Sequence, residues 1–300
     1  MMESSEKKAK VKLYVLSILQ RKPNWLELPT DLTKNILQRL DTVDLVTTAR
    51  FVCTQWWKIC KDPLMWRTIH MINIDLSDPR FSFRLCSFEK ICRCAIDLSC
   101  GHAEDIAIDY FGRETDDLLK YMARRARRLR RLRIVERSYF DSKKGLNEYV
   151  KEFSLLEELE ISSDKKITEE FLEDIGGCCP LLKSLNLANL FDLHVNFVHQ
   201  LFAIAKTMPG LRHLTCSRIK FGDDELLAIL NGCPLLDSLD LQNCVCRHQL
   251  NPSLVKRCHE QIKDLQLPTF SPRDGYDDDD DGLAYVDTFE DTYANEYWEY

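Results

Sequence analysis

Thirteen cysteines and seven histidines are the side chains of this 300-residue chain best suited to hold a metal or act as nucleophiles. Cys92-x-Cys94, Cys100-x-His102 and Cys244-x-Cys246-x-His248 bring zinc-ligand types together. Their spacing of two differs from the Cys-x(2–4)-Cys knuckle with a paired second half, so no metal site is expected. The cysteines are odd in number, scattered and set in apolar patterns, which suits reduced thiols serving as small core residues. Asp277-x-Asp279-x-Asp281-Gly282 opens like a calcium loop, but the twelfth position is Thr288 rather than a bidentate glutamate, and no helical pattern flanks it. Arg124, Arg125, Arg127, Arg128, Arg130, Arg131 and Arg133 form a basic cluster that suits phosphates or a nuclear address. A single basic rung lacks the extended stripe of a nucleic-acid interface, and exposed positions beside buried Leu129, Leu132 and Ile134 explain it as well. There is no P-loop, G-x-S-x-G, H-E-x-x-H or dinucleotide fingerprint. The expectation is a non-enzymatic chain without cofactors, working through binding.

The charge is unevenly distributed. Net charge is −7, yet Asp274–Tyr300 holds eleven acids and no base, which leaves the preceding residues at +4. Such a run reads as a solvated, disordered tail. No window approaches 18 uninterrupted apolar residues, so no membrane partner is expected. The apolar stretch Val11–Leu19 contains Lys12 and is followed by Gln20, Arg21 and Lys22, unlike a cleaved signal. The expected location is cytoplasmic and/or nuclear.

Binding needs elements that present apolar surface, and residues 25–66 supply them. Four of the five tryptophans fall there, among three short amphipathic patterns. Leu32, Ile36, Leu37 and Leu40 lie on one face of a helical period, with Thr30 as the expected cap. Leu45, Ala49 and Val52 mark a second helix, and Cys53, Trp56, Trp57 and Cys60 a third, stopped by Asp62-Pro63. So much apolar surface on so short a segment calls for a partner.

The run Leu28-Pro29-x-x-Leu32-x-x-x-Ile36-Leu37-x-x-Leu40, then Asp44-Leu45, Val52-Cys53-x-x-Trp56 and Asp62-Pro63-Leu64-x-Trp66, resembles an F-box. The resemblance implies docking on the Skp-type adaptor of a cullin–RING ubiquitin ligase. The adaptor-facing contacts would come from Leu28, Pro29, Leu32, Ile36, Leu37, Leu40, Leu45, Val52 and Trp56. Which of the neighbouring indoles, Trp56 or Trp57, faces the partner stays open.

Downstream the chain repeats. Aligned apolar anchors fall at Ile106, Leu132, Leu159, Leu185, Leu214, Leu239 and Leu265, separated by 26, 27, 26, 29, 25 and 26 residues. Each sits in an x-L-x-L-like strand, as in Leu182-x-x-Leu185-x-Leu187. Helical stretches are expected between them over 116–125, 147–153, 168–175, 196–206, 223–230 and 252–258. This resembles the leucine-rich repeat, in its cysteine-containing subtype, and the whole is similar to the F-box/LRR proteins, especially those of plants.

The expected fold is α/β, a three-helix F-box followed by a horseshoe-shaped solenoid of about seven repeats. The divisions are a disordered leader (1–23), F-box (24–70), linker and capping helix (71–102), repeats (103–270) and disordered acidic tail (271–300). Residues alternating with the buried leucines point to the open sheet face. They name Asp105, Asp109, Arg131, Arg133, Glu158, Glu160, Asn186, His213, Thr215 and Asp240 as candidates for holding a target, together with Ser184, Ser238, Asp264 and Gln266. The resemblance thus implies a substrate receptor of an SCF-type ubiquitin ligase, with a protein target that the sequence does not name. Two other readings stay open, a scaffold that docks the adaptor without delivering a target, and a nucleic-acid binder working through the arginine cluster.

Overall fold

The first described helices are short because each is capped or broken within two turns. The computed structural model describes residues 27–72, 88–110, 115–136, 150–163, 167–190 and 195–268. The leader, the tail and Trp25 lie outside them. Helix α1 spans Thr30–Leu37, α2 Thr42–Thr47 and α3 Thr54–Cys60. Thr30 is the first residue of α1 rather than its cap. Pro29 holds the cap position without a side-chain bond, and Thr33 Oγ1 donates to the Pro29 carbonyl at 3.1 Å. Asp41 caps α2 instead, accepting from the Asp44 amide at 2.7 Å. The second pattern does not run as one helix. The backbone leaves helical geometry at Thr48 (φ −128°), and a 3-10 turn covers Ala49–Phe51. A further 3-10 turn, Pro63–Trp66, is capped by Asp62, whose carboxylate accepts the Leu64 amide at 3.0 Å.

The chain then enters a parallel sheet one strand earlier than the seven anchors predict. Strand β1 is Thr68–Met71, and α4, Phe88–Leu98, follows inside the stretch expected to hold a capping helix. The remaining strands of this sheet are β2 (Asp105–Tyr110), β3 (Arg131–Glu136), β4 (Glu158–Ser163), β5 (Ser184–Asn189), β7 (His213–Ser217), β9 (Ser238–Asp240) and β11 (Asp264–Gln266). They pair in that order, all parallel. Ile69, Ile106, Leu132, Leu159, Leu185, Leu214, Leu239 and Leu265 are Cα partners across all eight strands. The register is thus the sequence alignment itself. A one-residue slip would turn every anchor out of the core, so the period of the repeat and the pairing determine each other.

Crossovers between strands carry α5 (Thr115–Arg125), α6 (Glu169–Cys178), α7 (Val198–Thr207), α8 (Asp223–Gly232) and α9 (Pro252–Gln261). Of the stretch 147–153, the described part forms only a 3-10 turn, Val150–Glu152. A second, three-stranded parallel sheet of β6 (Val195–Asn196), β8 (Ile219–Phe221) and β10 (Val245–Cys246) joins the later units. No periodic signal announced it, since two- and three-residue strands are too short to alternate visibly.

Helices α6, α7 and α8 stack in sequence, and their apolar faces join the strand anchors in one buried cluster that runs from Leu37 to Ile262. The cysteines act as spacers within it. Cys179 Sγ lies 3.5 Å from the Phe153 carbonyl, Cys233 Sγ 3.6 Å from that of Met208 and Cys244 Sγ 3.0 Å from that of Cys216, each reaching back one unit. Burial pushes the Cys244 thiol up to about 12 and that of Cys233 to about 11, so both stay protonated donors.

Glycine is required where α8 meets α7. A Cβ on Gly232 would stand 2.1 Å from the carbonyl oxygen of Ala205, a backbone atom that cannot swing aside. Gly232→Ala is therefore expected to destabilise the chain by about 1–3 kcal/mol, an overpacking cost despite alanine's better helix propensity. A denaturant titration checks it; an unchanged midpoint would mean that the helices part without cost.

Candidate functional site

Two surfaces present side chains that the core leaves over. The first belongs to α1–α3 and the turns around them. Twelve large apolar residues are exposed among the described residues, and seven of them, Leu32, Ile36, Leu40, Phe51, Val52, Trp57 and Leu64, fall between positions 32 and 64. Leu32 and Ile36 sit one turn apart on α1. Leu40 and Leu64 line a common depression of about 620 Å³ where the helices approach β1. Lys34 Nζ donates to Asp62 at 2.5 Å, which ties α1 to the second 3-10 turn. That bond, with the Leu64 amide, holds the Asp62 carboxyl below its usual range. Gln55 Nε2 reaches the Leu28 carbonyl at 3.4 Å and joins α3 to the chain ahead of α1.

Not all of the residues expected to face an adaptor lie on that surface. Leu37 is 0% exposed and Leu45 5%, so both belong to the core and cannot touch a partner. Burial follows from their place on the inner side of α1 and α2, a distinction that periodicity alone blurs when the apolar stripe is wide. Leu28 and Trp56 are half-buried, and Trp56 packs on the core cluster. Trp57 is the indole at the surface, 44% exposed, with Lys61 Nζ 3.7 Å over its ring. Phe51 and Trp57 were absent from the predicted set. Trp57 belongs to the third helical pattern, where the choice between the two indoles stays open in the sequence, whereas Phe51 is marked only by its adjacency to Val52.

The second surface is the sheet face opposite the helices. One row across it reads Asp105, Arg131, Glu158, Ser184, His213, Ser238 and Asp264, and the next reads His70, Ala107, Arg133, Glu160, Asn186, Thr215, Asp240 and Gln266. Much of its charge is already paired. Arg131 Nε lies 3.0 Å from Asp105 Oδ2, His70 Nε2 3.2 Å from Asp105 Oδ1 and Arg133 Nε 3.2 Å from Glu160. Burial alone would raise the Asp105 pKa, but His70 and Arg131 hold it below the usual carboxylate range. Glu158 is exposed, with no ion pair among the described residues, while Asp264 accepts only the Ser238 hydroxyl at 3.2 Å. A shallow depression of about 310 Å³ lies between Asp105, Arg133, Glu158, Ser184 and Thr215. Asp109 departs from the expectation. It is 9% exposed, and its Oδ1 has no hydrogen-bond partner among the described residues, so it is not an accessible contact.

The arginine cluster divides in two. Arg125 pairs with Asp97 at 2.7 Å, Arg130 with Glu157, and Arg131 and Arg133 as above. All seven are exposed, but Arg124, Arg127 and Arg128 make no ion pair within 4 Å among the described residues. Among the described residues no three metal-binding side chains converge, and no helix is long and apolar enough to cross a membrane.

Comparison with known proteins agrees with this layout. The F-box-like family model matches residues 25–72. Among curated Arabidopsis thaliana proteins, F-box/LRR-repeat protein 22 is 39% identical over 88% of this chain and 83% of its own length. F-box protein SKIP19 is 40% identical over 88% of this chain and 84% of its length. F-box/LRR-repeat protein 23 is 40% identical over 83% of this chain, which spans only 54% of that relative. An F-box-like segment that leaves seven large apolar residues exposed, followed by an in-register parallel sheet, and this identity across most of both chains place the protein in the plant F-box/LRR-repeat family.

Proposed function

We propose that this chain is a substrate-recognition subunit of an SCF-type cullin–RING E3 ubiquitin ligase. Its F-box docks on the Skp adaptor, and its repeats, stacked as a horseshoe-shaped solenoid, hold a target protein on the open face. The observation that carries the reading is the crowding of seven of twelve exposed large apolar residues into the F-box segment, while the helices and strands behind it close a continuous core. Surface of that kind is typical of an interface core, with tryptophan a favoured anchor. Leu32, Ile36, Leu40, Phe51, Val52, Trp57 and Leu64 form the docking surface. The chain itself supplies no reaction; it raises the effective concentration of the target near the conjugating enzyme.

On the open face Asp105, Glu158, Glu160, Asp240 and Asp264 outnumber Arg131 and Arg133, so the favoured target segment carries Lys or Arg. Glu158→Lys with Asp264→Lys leaves the Arg131–Asp105 and Arg133–Glu160 pairs intact. The double variant is expected to retain the adaptor in affinity purification and to lose targets that the intact chain captures. Unchanged capture would remove the open face from target binding. Target levels that ignore both overexpression and depletion would favour a docking scaffold without target delivery.

A further inference from the structure

The exposed arginines left over by the sheet have a chemical complement in an acidic segment of the same chain. Arg124, Arg127 and Arg128 sit at the end of α5 and in the turn into β3, with exposed Lys120 one turn earlier on α5. Several cations nearer the last strand are already paired with carboxylates. Lys263 lies 2.7 Å and Arg212 3.2 Å from Asp237, Lys183 2.8 Å from Glu157 and Lys206 2.8 Å from Glu173. The open face is net acidic and repels carboxylates. Beyond Pro268, outside the described residues, the sequence holds eleven acids and no base from Asp274 onward, with Tyr276, Tyr285, Phe289, Tyr293, Tyr297, Trp298 and Tyr300 interleaved. Guanidinium groups pair with carboxylates and stack on such rings, so this composition suits an arginine patch better than lysines.

Reach permits the contact. From β11 to β3 is five strand spacings, roughly 24 Å at about 4.8 Å each, and Pro268 stands about 13 Å further along the strand direction, four residues past the row that joins Asp264 to Arg131. The thirteen residues from Thr269 to Asp281 extend to about 45 Å at 3.3–3.6 Å per residue. We infer that the acidic C-terminal segment 274–300 docks on the Lys120, Arg124, Arg127 and Arg128 patch of its own chain, covering it against phosphate-bearing polymers.

Zero-length carbodiimide coupling of the intact chain tests this, because it joins a lysine amine to a carboxylate in contact with it. Links from Lys120 to acids within 277–281 are expected at low ionic strength. They should fall about fivefold or more in 0.5 M salt, where screening is short-ranged, and equally in Arg124→Gln/Arg127→Gln/Arg128→Gln. An equal yield in that triple variant, with circular dichroism and melting matching the parent, would overturn the proposal. So would links found only between isotopically distinct copies. A labelled single-stranded oligonucleotide supplies the other arm. Its anisotropy should show weak binding to the intact chain and stronger binding once Asp277–Asp281 are changed to Asn. Tight, steeply salt-dependent binding by the intact chain, lost in the triple variant, would instead assign the patch to nucleic acid and overturn self-docking.

Discussion

Leu32→Asp is expected to abolish capture of the Skp adaptor while leaving the chain folded. Leu32 is 47% exposed on α1, so a carboxylate there stays solvated in the free protein. In a complex it would forfeit about 1.5–3 kcal/mol of leucine burial and desolvate a charge. A combined loss near 3 kcal/mol or more weakens binding by about a hundredfold or more. Calorimetric titration with the purified adaptor reads it, and a thermal melt confirms the fold. Full-strength binding by a folded Leu32→Asp chain would sink the proposed docking surface. The same change at Leu37 tests something else. With its side chain wholly buried, Leu37→Asp places an unpaired charge in the core, and lost binding there would report unfolding.

Trp66→Ala is expected to give the largest loss of stability, about 3–5 kcal/mol, against a total of roughly 5–15 kcal/mol for a folded chain. Trp66 is 1% exposed and donates its indole N–H to the Cys60 carbonyl at 2.8 Å. Its 3-10 turn packs on α3 and α4 and leads directly into β1. The alanine leaves a cavity and an unmet carbonyl where the F-box meets the sheet. Because the buried cluster is continuous across that junction, one cooperative transition should move down by roughly 10 °C. Two separated transitions, with amide exchange unchanged in β2 through β5, would show instead that the F-box and the sheet fold independently.

Leu32 and Leu37 stand on the same apolar stripe, and periodicity gave both the same weight. Which one faces solvent depends on how α1 sits against α3 and the rest of the core, a tertiary fact. Asp109 shows the same limit on a strand, since alternation puts it on the open face while its neighbours leave it only 9% exposed. Trp57 was a matter of one helical position. Adjacent residues on a helix point about 100° apart, so local sequence does not decide which indole is inward.

The strand register was determined by the sequence alone. A near-constant spacing of apolar anchors admits one in-register parallel pairing that turns them all toward the core; every anchor from Ile106 to Leu265 takes it, the first six buried and Leu265, on the last strand, half-buried. The F-box was likewise legible, because its spaced residue types recur within forty positions. Tertiary structure decided the rest. It added β1, which draws the F-box into the sheet through four residues too few to announce themselves, and β6, β8 and β10 for the same reason. It also sorted the charges. Arg131 and Arg133 are spent on Asp105 and Glu160, while Arg124, Arg127 and Arg128 stay exposed at the end of α5. Pairing of this kind depends on side chains brought within about 4 Å across separate repeats, a distance that spacing along the chain does not encode.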